Sequence, residues 1–252
     1  MKVLFFGDVY AEAGRTFLFE KLDELKSKYK PNLVLLNGEN ICNNGRGINR
    51  DIYKDLMKRG ISAITMGNWV FANHELFDFI DDSNIIRPAN YINAPGKGYL
   101  VLNFNNKKIL IISVQGLVYM TNNYLENPFV TVERIISSVE HDYTIIDIHG
   151  EATSEKIAIG HHFDGRATAV LGTHTHVQTA DERVLPKGTL YISDVGMTGP
   201  KDGIIGVERS IVINRFLGEH VKSNSPAPGK RQINAVFMDF DKKVIERINI
   251  YE

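Results

Sequence analysis

Short apolar runs separated by helix-like segments dominate the first quarter of the chain. The run 3–6 is followed by an amphipathic stretch, 17–29, and then by a second apolar run, 33–36. Another helical pattern, 51–59, leads into the apolar run 63–66. This order is typical of βαβ units, in which helices cover a sheet with parallel strands. The pattern therefore predicts an α/β fold.

The later sequence predicts antiparallel pairs as well. The runs 99–104 and 109–114 flank Asn105 and Asn106, and the runs 234–240 and 243–250 flank Asp241. Short polar turns between alternating apolar runs indicate hairpins. Further strands are expected at 143–148, 167–171 and 190–193, with a surface loop at 223–230. Because no repeat or linker interrupts the chain, we expect one domain, 1–252, with enough strands for two packed mixed sheets covered by helices.

Composition restricts the partners. The 252 residues include 29 Lys and Arg and 30 Asp and Glu, a net charge of -1, so no overall field attracts long nucleic acid or a membrane. No apolar run reaches the roughly 20 residues of a membrane span. A single Cys42, expected to be an inert thiol, and a start without a signal-peptide pattern predict a cytoplasmic protein.

Polar side chains follow five of the predicted strands. Each alone is most often a turn or helix-capping residue, or a structural histidine. Together they form a regular pattern at strand ends, where α/β folds place their sites. The candidate metal ligands are Asp8, Glu39, Asn40, Asn68, His149, His174 and His176.

Two of these ligands alternate in the segment Gly172-Thr173-His174-Thr175-His176. On an extended chain, alternate side chains point the same way, and Gly172 allows another backbone to approach closely. The pair by itself favours metal binding and an ordinary structural role about equally.

The ligand types agree with divalent metal chemistry. Imidazoles, carboxylates and amide oxygens suit iron, manganese or zinc, and the set contains no thiolate. A carboxylate that reaches two ions holds them about 3.5–4 Å apart, the separation used in phosphoryl transfer. The set therefore predicts a binuclear site.

These motifs resemble the calcineurin-like metallophosphoesterases, and more narrowly the YmdB-type bacterial cyclic-nucleotide phosphodiesterases, along essentially the whole chain. The narrower resemblance lies in Glu39, which stands where the superfamily has Asp, and in the segments 151–156, 173–181 and 194–199. It implies a four-layer α/β/β/α sandwich with a di-metal centre at one edge of the sheets.

The resemblance also implies how the ligands are shared. Asp8, Glu39, Asn40 and His176 would hold one ion, and Glu39, Asn68, His149 and His174 the other, with Glu39 as the bridge. Iron or manganese is the implied metal, with zinc and magnesium as alternatives. The implied substrates are 2',3'-cyclic and 3',5'-cyclic nucleotides.

The chain departs from the family pattern at Trp69, where a histidine would protonate the leaving oxygen. Indole carries one N–H and does not titrate near neutral pH, so Trp69 cannot transfer a proton. We expect His74, His161 and His162 to lie on the surface rather than to replace the missing acid. Trp69 either packs at the rim of the site or stacks on a nucleotide.

Three further side chains are weaker candidates for the site. Arg46, in the segment Asn44-Gly45-Arg46-Gly47, is a candidate phosphate contact, although such a glycine-rich segment is most often a turn. Gln178 and Asp181 are candidates to orient the imidazole rings, because they follow the histidine pair closely in sequence.

The resulting hypothesis is a phosphodiesterase in which a metal-bridging hydroxide attacks phosphorus while His149 and Asn68 act at the reacting centre. Loss of the histidine at position 69 predicts reduced activity. The alternatives are a metal- and nucleotide-binding regulatory protein that has lost catalysis, and a phosphomonoesterase. Symmetric self-association is expected from base rates.

Overall fold

The computed structural model describes residues 1–120, 125–221 and 223–252. Two mixed sheets face each other, and helices cover their outer faces. Across the described residues, no helix combines the length and the apolar character needed to cross a bilayer.

The first sheet is parallel on one side and mainly antiparallel on the other. Its strands, in spatial order, are β2 (Asp8–Val9), β12 (Met197–Pro200), β13 (Arg231–Asp239), β1 (Lys2–Phe6), β3 (Leu33–Asn37), β4 (Ala63–Thr65) and β5 (Ile85–Ile86), with β14 (Val244–Tyr251) also paired to β13.

The second sheet has a parallel centre and antiparallel edges. Its strands, in spatial order, are β10 (Arg183–Val184), β11 (Leu190–Ile192), β9 (Ala169–Thr173), β8 (Tyr143–His149), β7 (Lys107–Gln115) and β6 (Tyr99–Phe104).

The helices divide between the two sheets. In one hydrophobic core, α1 (Ala11–Tyr29) and α2 (Arg50–Lys58) pack against the first sheet. In another, α3 (Pro128–Ser138) and α4 (Thr153–His162) pack against the second sheet. A short helix, α5 (Arg209–Phe216), packs near the start of α1. Two 3₁₀ turns, Val70–Ala72 and His74–Asp78, follow β4.

Three separate hydrophobic cores show that the molecule has four layers. Along β1, Leu4 and Phe6 face the helices, while Val3 and Phe5 face the second sheet. A strand covered on both faces has no polar side, which explains the continuous apolar runs in the sequence. The predicted α/β/β/α sandwich of two mixed sheets is confirmed.

Both predicted hairpins are present. Asn105 and Asn106 have φ values of 47° and 60°, the left-handed conformation that a tight two-residue hairpin turn requires. β13 and β14 form the second pair.

Several predicted boundaries are shifted, and two of the shifts have a clear structural cause. The helix predicted over 17–29 begins at Ala11, because its first turns bury the small residues Ala11 and Gly14, which produce no visible apolar periodicity. The strand predicted over 167–171 runs over Ala169–Thr173, because Ala167 still belongs to the turn after α4 and donates its N–H to the carbonyl of Phe163.

Candidate metal centre

The structure brings all seven candidate ligands to one edge of the two sheets. Asp8 lies in β2, His149 is the last residue of β8, and the others lie in the loops that follow β3, β4 and β9. Asp8, Glu39 and His149 are almost completely buried. Parallel strands deliver their carboxyl ends to the same edge, so residues distant in sequence meet there.

Three potential ligand atoms surround the Nε2 atom of His149. The Oε1 atom of Glu39 and the Oδ1 atom of Asn68 each lie 3.1 Å from it, and the Nδ1 atom of His174 lies 3.0 Å from it. Ligands that bind one ion at about 2.1 Å lie roughly 3 Å from each other in octahedral or tetrahedral geometry. The spacing of these four atoms therefore fits a metal site.

A proton occupies this site in the metal-free protein. Burial alone would lower the pKa of His149, but the charge and hydrogen bond of Glu39 outweigh burial and raise the pKa to about 9. Burial and the nearby His149 lower the pKa of His174 to about 3, so its Nδ1 atom accepts a hydrogen bond. Burial also acts to raise the pKa of Glu39, yet the charge of His149 lowers it overall. The cluster thus favours a positive charge at its centre.

A second group lies next to the first. The Nε2 atom of His176 is 3.1 Å from the Oδ1 atom of Asn40. Asp8 lies within electrostatic range of His176, and its Oδ1 atom is buried without a hydrogen-bond partner among the described residues. Burial raises the pKa of Asp8 to about 6. The Nδ1 atom of His149 lies 3.9 Å from this oxygen, too far for a hydrogen bond, so the orphaned atom can bind a second ion.

Each imidazole is oriented by an acceptor on its outer side. Thr173 donates to the Oδ1 atom of Asp147 at 2.7 Å, so its Oγ1 atom accepts the Nδ1–H of His149 at 2.9 Å. The Nδ1–H of His176 donates to the carbonyl of Ile205 at 2.8 Å. These bonds assign the outer nitrogens as protonated, so the Nε2 atoms face the site and can bind a metal once the proton on His149 is displaced.

The third imidazole, that of His174, has the opposite orientation: its Nδ1 atom, rather than its Nε2 atom, faces the cluster. The Nε2 atom of His174 lies 3.3 Å from the Oε2 atom of Glu151, which leaves its Nδ1 atom facing His149. Glu151 was not a predicted site residue. Two sequence signals could have indicated it: its position two residues after His149, and its place at the start of the segment 151–156, which carries the family resemblance.

The expectation that Gln178 and Asp181 orient the imidazoles is wrong. Gln178 donates to the backbone carbonyls of Val195 and Ala235, and Asp181 accepts from Ser193 and Thr179. Asp181 therefore stabilises the connection after β11, and Gln178 links that connection to β13, so these bonds do not orient the rings.

The prediction that His174 and His176 alternate along an extended chain is also wrong. β9 ends at Thr173, and His174 and His176 have φ values of 102° and 63°, so the backbone bends sharply at both. The close approach predicted at Gly172 is confirmed, because a Cβ atom there would lie 1.7 Å from the carbonyl oxygen of Ser193.

A buried ion pair holds this bent segment. Lys156, fully buried on α4, donates to the carbonyl of Thr173 at 3.0 Å and to Asp194 at 2.8 Å. Asp194 in turn accepts from the N–H and the hydroxyl of Thr175 at 3.1 and 2.8 Å. The pair therefore fixes the residue on each side of His174. It also explains two of the sequence segments that carry the family resemblance, 151–156 and 194–199.

A cavity of about 140 Å³ opens beside the ligands. Trp69 and Arg46 both line it, and the guanidinium carbon of Arg46 lies 4.3 Å from the centre of the Trp69 ring. The backbone N–H of Trp69 donates to the Oε2 atom of Glu39 at 3.1 Å. The histidines considered as replacements for the missing acid, His74, His161 and His162, are exposed as expected and do not line this cavity.

The sandwich and the cluster at its edge define a metallophosphoesterase-like protein. The chain belongs to the YmdB-like family, whose model, described as YmdB-like protein, matches residues 4–251. The resemblance seen in the sequence is thereby confirmed.

Several relatives match over the whole length. The 2',3'-cyclic-nucleotide 2'-phosphodiesterase of Bacillus subtilis (strain 168) is 45% identical, over 99% of this chain and 95% of that protein. A crystal structure of a hypothetical protein from Thermus thermophilus has a TM-score of 0.94 at 38% identity, with 100% of both chains covered. The structure of a novel phosphatase from Mycoplasma pneumoniae has a TM-score of 0.93 at 37% identity, covering 100% of this chain and 94% of the other.

Metal binding is expected to release a proton. At pH 7.5 His149, with a pKa of about 9, carries a proton that an ion at its Nε2 atom must displace. Titration calorimetry with Mn²⁺ in two buffers of different ionisation enthalpy should therefore give different heats, equivalent to about one proton from this imidazole. Heats that do not depend on the buffer would contradict this assignment.

Proposed function

We propose that residues 1–252 form one catalytic domain, a di-metal phosphodiesterase that opens the cyclic phosphate of 2',3'-cyclic nucleotides. The observation that carries the proposal is the arrangement of Glu39, Asn68 and His174 within about 3 Å of the Nε2 atom of His149, next to the orphaned oxygen of Asp8. The name of the Bacillus subtilis relative supports the choice of substrate.

The donor atoms divide between two ions. Asp8, Glu39, Asn40 and His176 would hold one, and Glu39, Asn68, His149 and His174 the other, so that Glu39 serves both. Nitrogen and oxygen donors favour iron or manganese, with zinc or magnesium as alternatives. When bound, such a pair supplies an activated water and neutralises charge on phosphate oxygens.

The walls of the cavity are suited to the phosphate and to one face of the base of a nucleotide. Arg46 provides a positive charge for the phosphate, and the face of Trp69, which is 37% exposed, can stack on a base. Glu39, Asn40 and His174 line this cavity, so Asn68 and His149, which lie behind them, would act on the phosphate through the ion they hold. A 3',5'-cyclic nucleotide presents the same groups in a less strained ring and is the second substrate we propose.

The leaving oxygen has no titrating side chain at position 69. Trp69 has two N–H groups. Its backbone N–H donates to Glu39, and its indole N–H does not ionise near neutral pH. The leaving oxygen would therefore be protonated by water or stabilised by a bound metal. General acid catalysis contributes about 10²–10⁴ in rate, so turnover should be lower by up to that factor than with a histidine present.

The direct test is a hydrolysis assay. Protein loaded with Mn²⁺ or Fe²⁺ should convert 2',3'-cyclic nucleotides to monophosphates, and removal of the metal with a chelator should abolish the reaction. Loaded protein that releases no product from 2',3'-cyclic or 3',5'-cyclic nucleotides, or from bis(p-nitrophenyl) phosphate, would refute the proposal. Activity confined to p-nitrophenyl phosphate would indicate a phosphomonoesterase instead.

Trp69 itself favours a second candidate, a metal-containing nucleotide-binding protein that has lost catalysis. Replacing Trp69 by histidine distinguishes the two. A gain of about 100-fold or more over a nearly silent parent would support the regulatory protein. A parent with clear turnover of its own would support the enzyme, whatever it gains from the histidine. Trp69→Phe is the matched control, because it keeps an aromatic ring without adding a titrating group.

A further inference from the structure

A second, larger groove lies beside the cavity and shares two lining residues with it. The cavity has a volume of about 140 Å³, and the groove beside it about 650 Å³. Asn44 and Arg46 line both. Because single ligand sites occupy about 300–1,000 Å³, the cavity is small for a substrate, and the groove adds the room that a substrate longer than one nucleotide would need.

Hydrogen-bond donors are abundant in this groove. Asn43, Asn44 and Asn49 line it, and each already uses its side-chain oxygen within the protein: Asn43 accepts from Arg15, Asn44 from the N–H of Arg46, and Asn49 from that of Ile52. The amide NH₂ group is therefore what each of these side chains can offer to a ligand. Amide donors in this number suit phosphate and sugar oxygens.

The charges of the groove also favour an anion. Arg15 and Arg46 line it, against one carboxylate, Asp51. Arg15 is held by the carbonyl of Ile41 and by Asn43. Arg46 stacks on Trp69, and within the described residues no carboxylate pairs with it. Its charge is thus available at the junction between cavity and groove.

We infer that the groove binds a nucleotide attached to the 5' side of the reacting one, so that the preferred substrate is a short oligoribonucleotide ending in a 2',3'-cyclic phosphate. This inference rests on the proposed function. Water adds its oxygen to phosphorus, the bond from phosphorus to O2' breaks, and O2' receives a proton, which leaves a 3'-phosphate end. The preceding phosphodiester lies among the groove donors and is not cleaved.

The test compares a mononucleotide with a dinucleotide. With Mn²⁺-loaded protein, kcat/KM for a diadenylate ending in a 2',3'-cyclic phosphate should exceed that for adenosine 2',3'-cyclic monophosphate by about tenfold, the worth of one hydrogen bond to a charged group. Equal values would overturn the inference while the proposed function stands. If neither compound is hydrolysed, the proposed function fails and the inference with it.

A nearly isosteric variant locates the effect in the groove. Asn43→Asp keeps the oxygen that accepts from Arg15 but replaces the NH₂ donor with a negatively charged oxygen. It should remove most of the advantage of the dinucleotide and leave kcat/KM for the mononucleotide within about twofold. Asn103→Asp, the same change at an exposed position of β6, should alter neither value. A dinucleotide advantage that survives Asn43→Asp would contradict the assignment of the groove.

Discussion

Replacing Gly67 by alanine should abolish most of the metal affinity of the group around His149 while leaving the protein folded. A Cβ atom at this position would lie 2.2 Å from the Cδ2 atom of His149 and 2.4 Å from the Oε2 atom of Glu39. Both side chains must move to relieve these contacts, and both are proposed ligands. Removing a group that orients a metal ligand typically lowers the metal affinity about 10–100-fold. Here two ligands shift together, so we expect a loss of about 100-fold or more.

Gly150 offers a matched control for this change. It follows β8 as Gly67 follows β4, but an added Cβ atom would meet its nearest neighbour, the Cα atom of Gly116, at 3.5 Å, an ordinary contact. Titration of metal-free protein with Mn²⁺ should show normal affinity for Gly150→Ala and weak affinity for Gly67→Ala, with similar melting temperatures for both metal-free variants. Wild-type affinity in Gly67→Ala would show that Glu39 and His149 do not act as ligands.

The candidate ligands could be predicted from sequence because they depend on strand ends. Asp8, Asn68 and His149 each follow an apolar run, and parallel strands in one layered fold bring such positions to a common edge. The four layers could be predicted for a similar reason, since strands buried on both faces appear as continuous apolar runs. These features follow from local patterns and from one topological rule.

The supports of the ligands could not be predicted in this way. His176 donates to a backbone carbonyl at Ile205, and any residue type supplies a carbonyl. Proximity in sequence suggested Gln178 and Asp181, but the bend at His174 and His176 directs the chain away before those residues. Partners set by tertiary contacts leave little trace in a single sequence.

The buried ion pair between Lys156 and Asp194 also could not be predicted from the sequence. Breaking this pair should produce the second large effect that we expect. Replacing Lys156 by methionine leaves the carboxylate of Asp194 buried without its cation. Breaking one side of a buried pair costs roughly 3–5 kcal/mol, which corresponds to a fall in melting temperature of about 10 °C for a protein of this size. Thermal unfolding followed by circular dichroism measures this change.

A second measurement separates a role in positioning His174 from a role in stability alone. The variant Lys156→Met with Asp194→Asn removes both charges, so it should recover part of the lost melting temperature, because no unpaired charge remains buried. It still lacks the bond from Lys156 to the carbonyl of Thr173, next to His174. Its affinity for Mn²⁺ should therefore stay about tenfold below that of the parent, as in other cases where a support of a metal ligand is removed. If affinity recovers together with stability, the pair stabilises the fold without orienting the histidine, because the bend at His174 would then persist without the lysine.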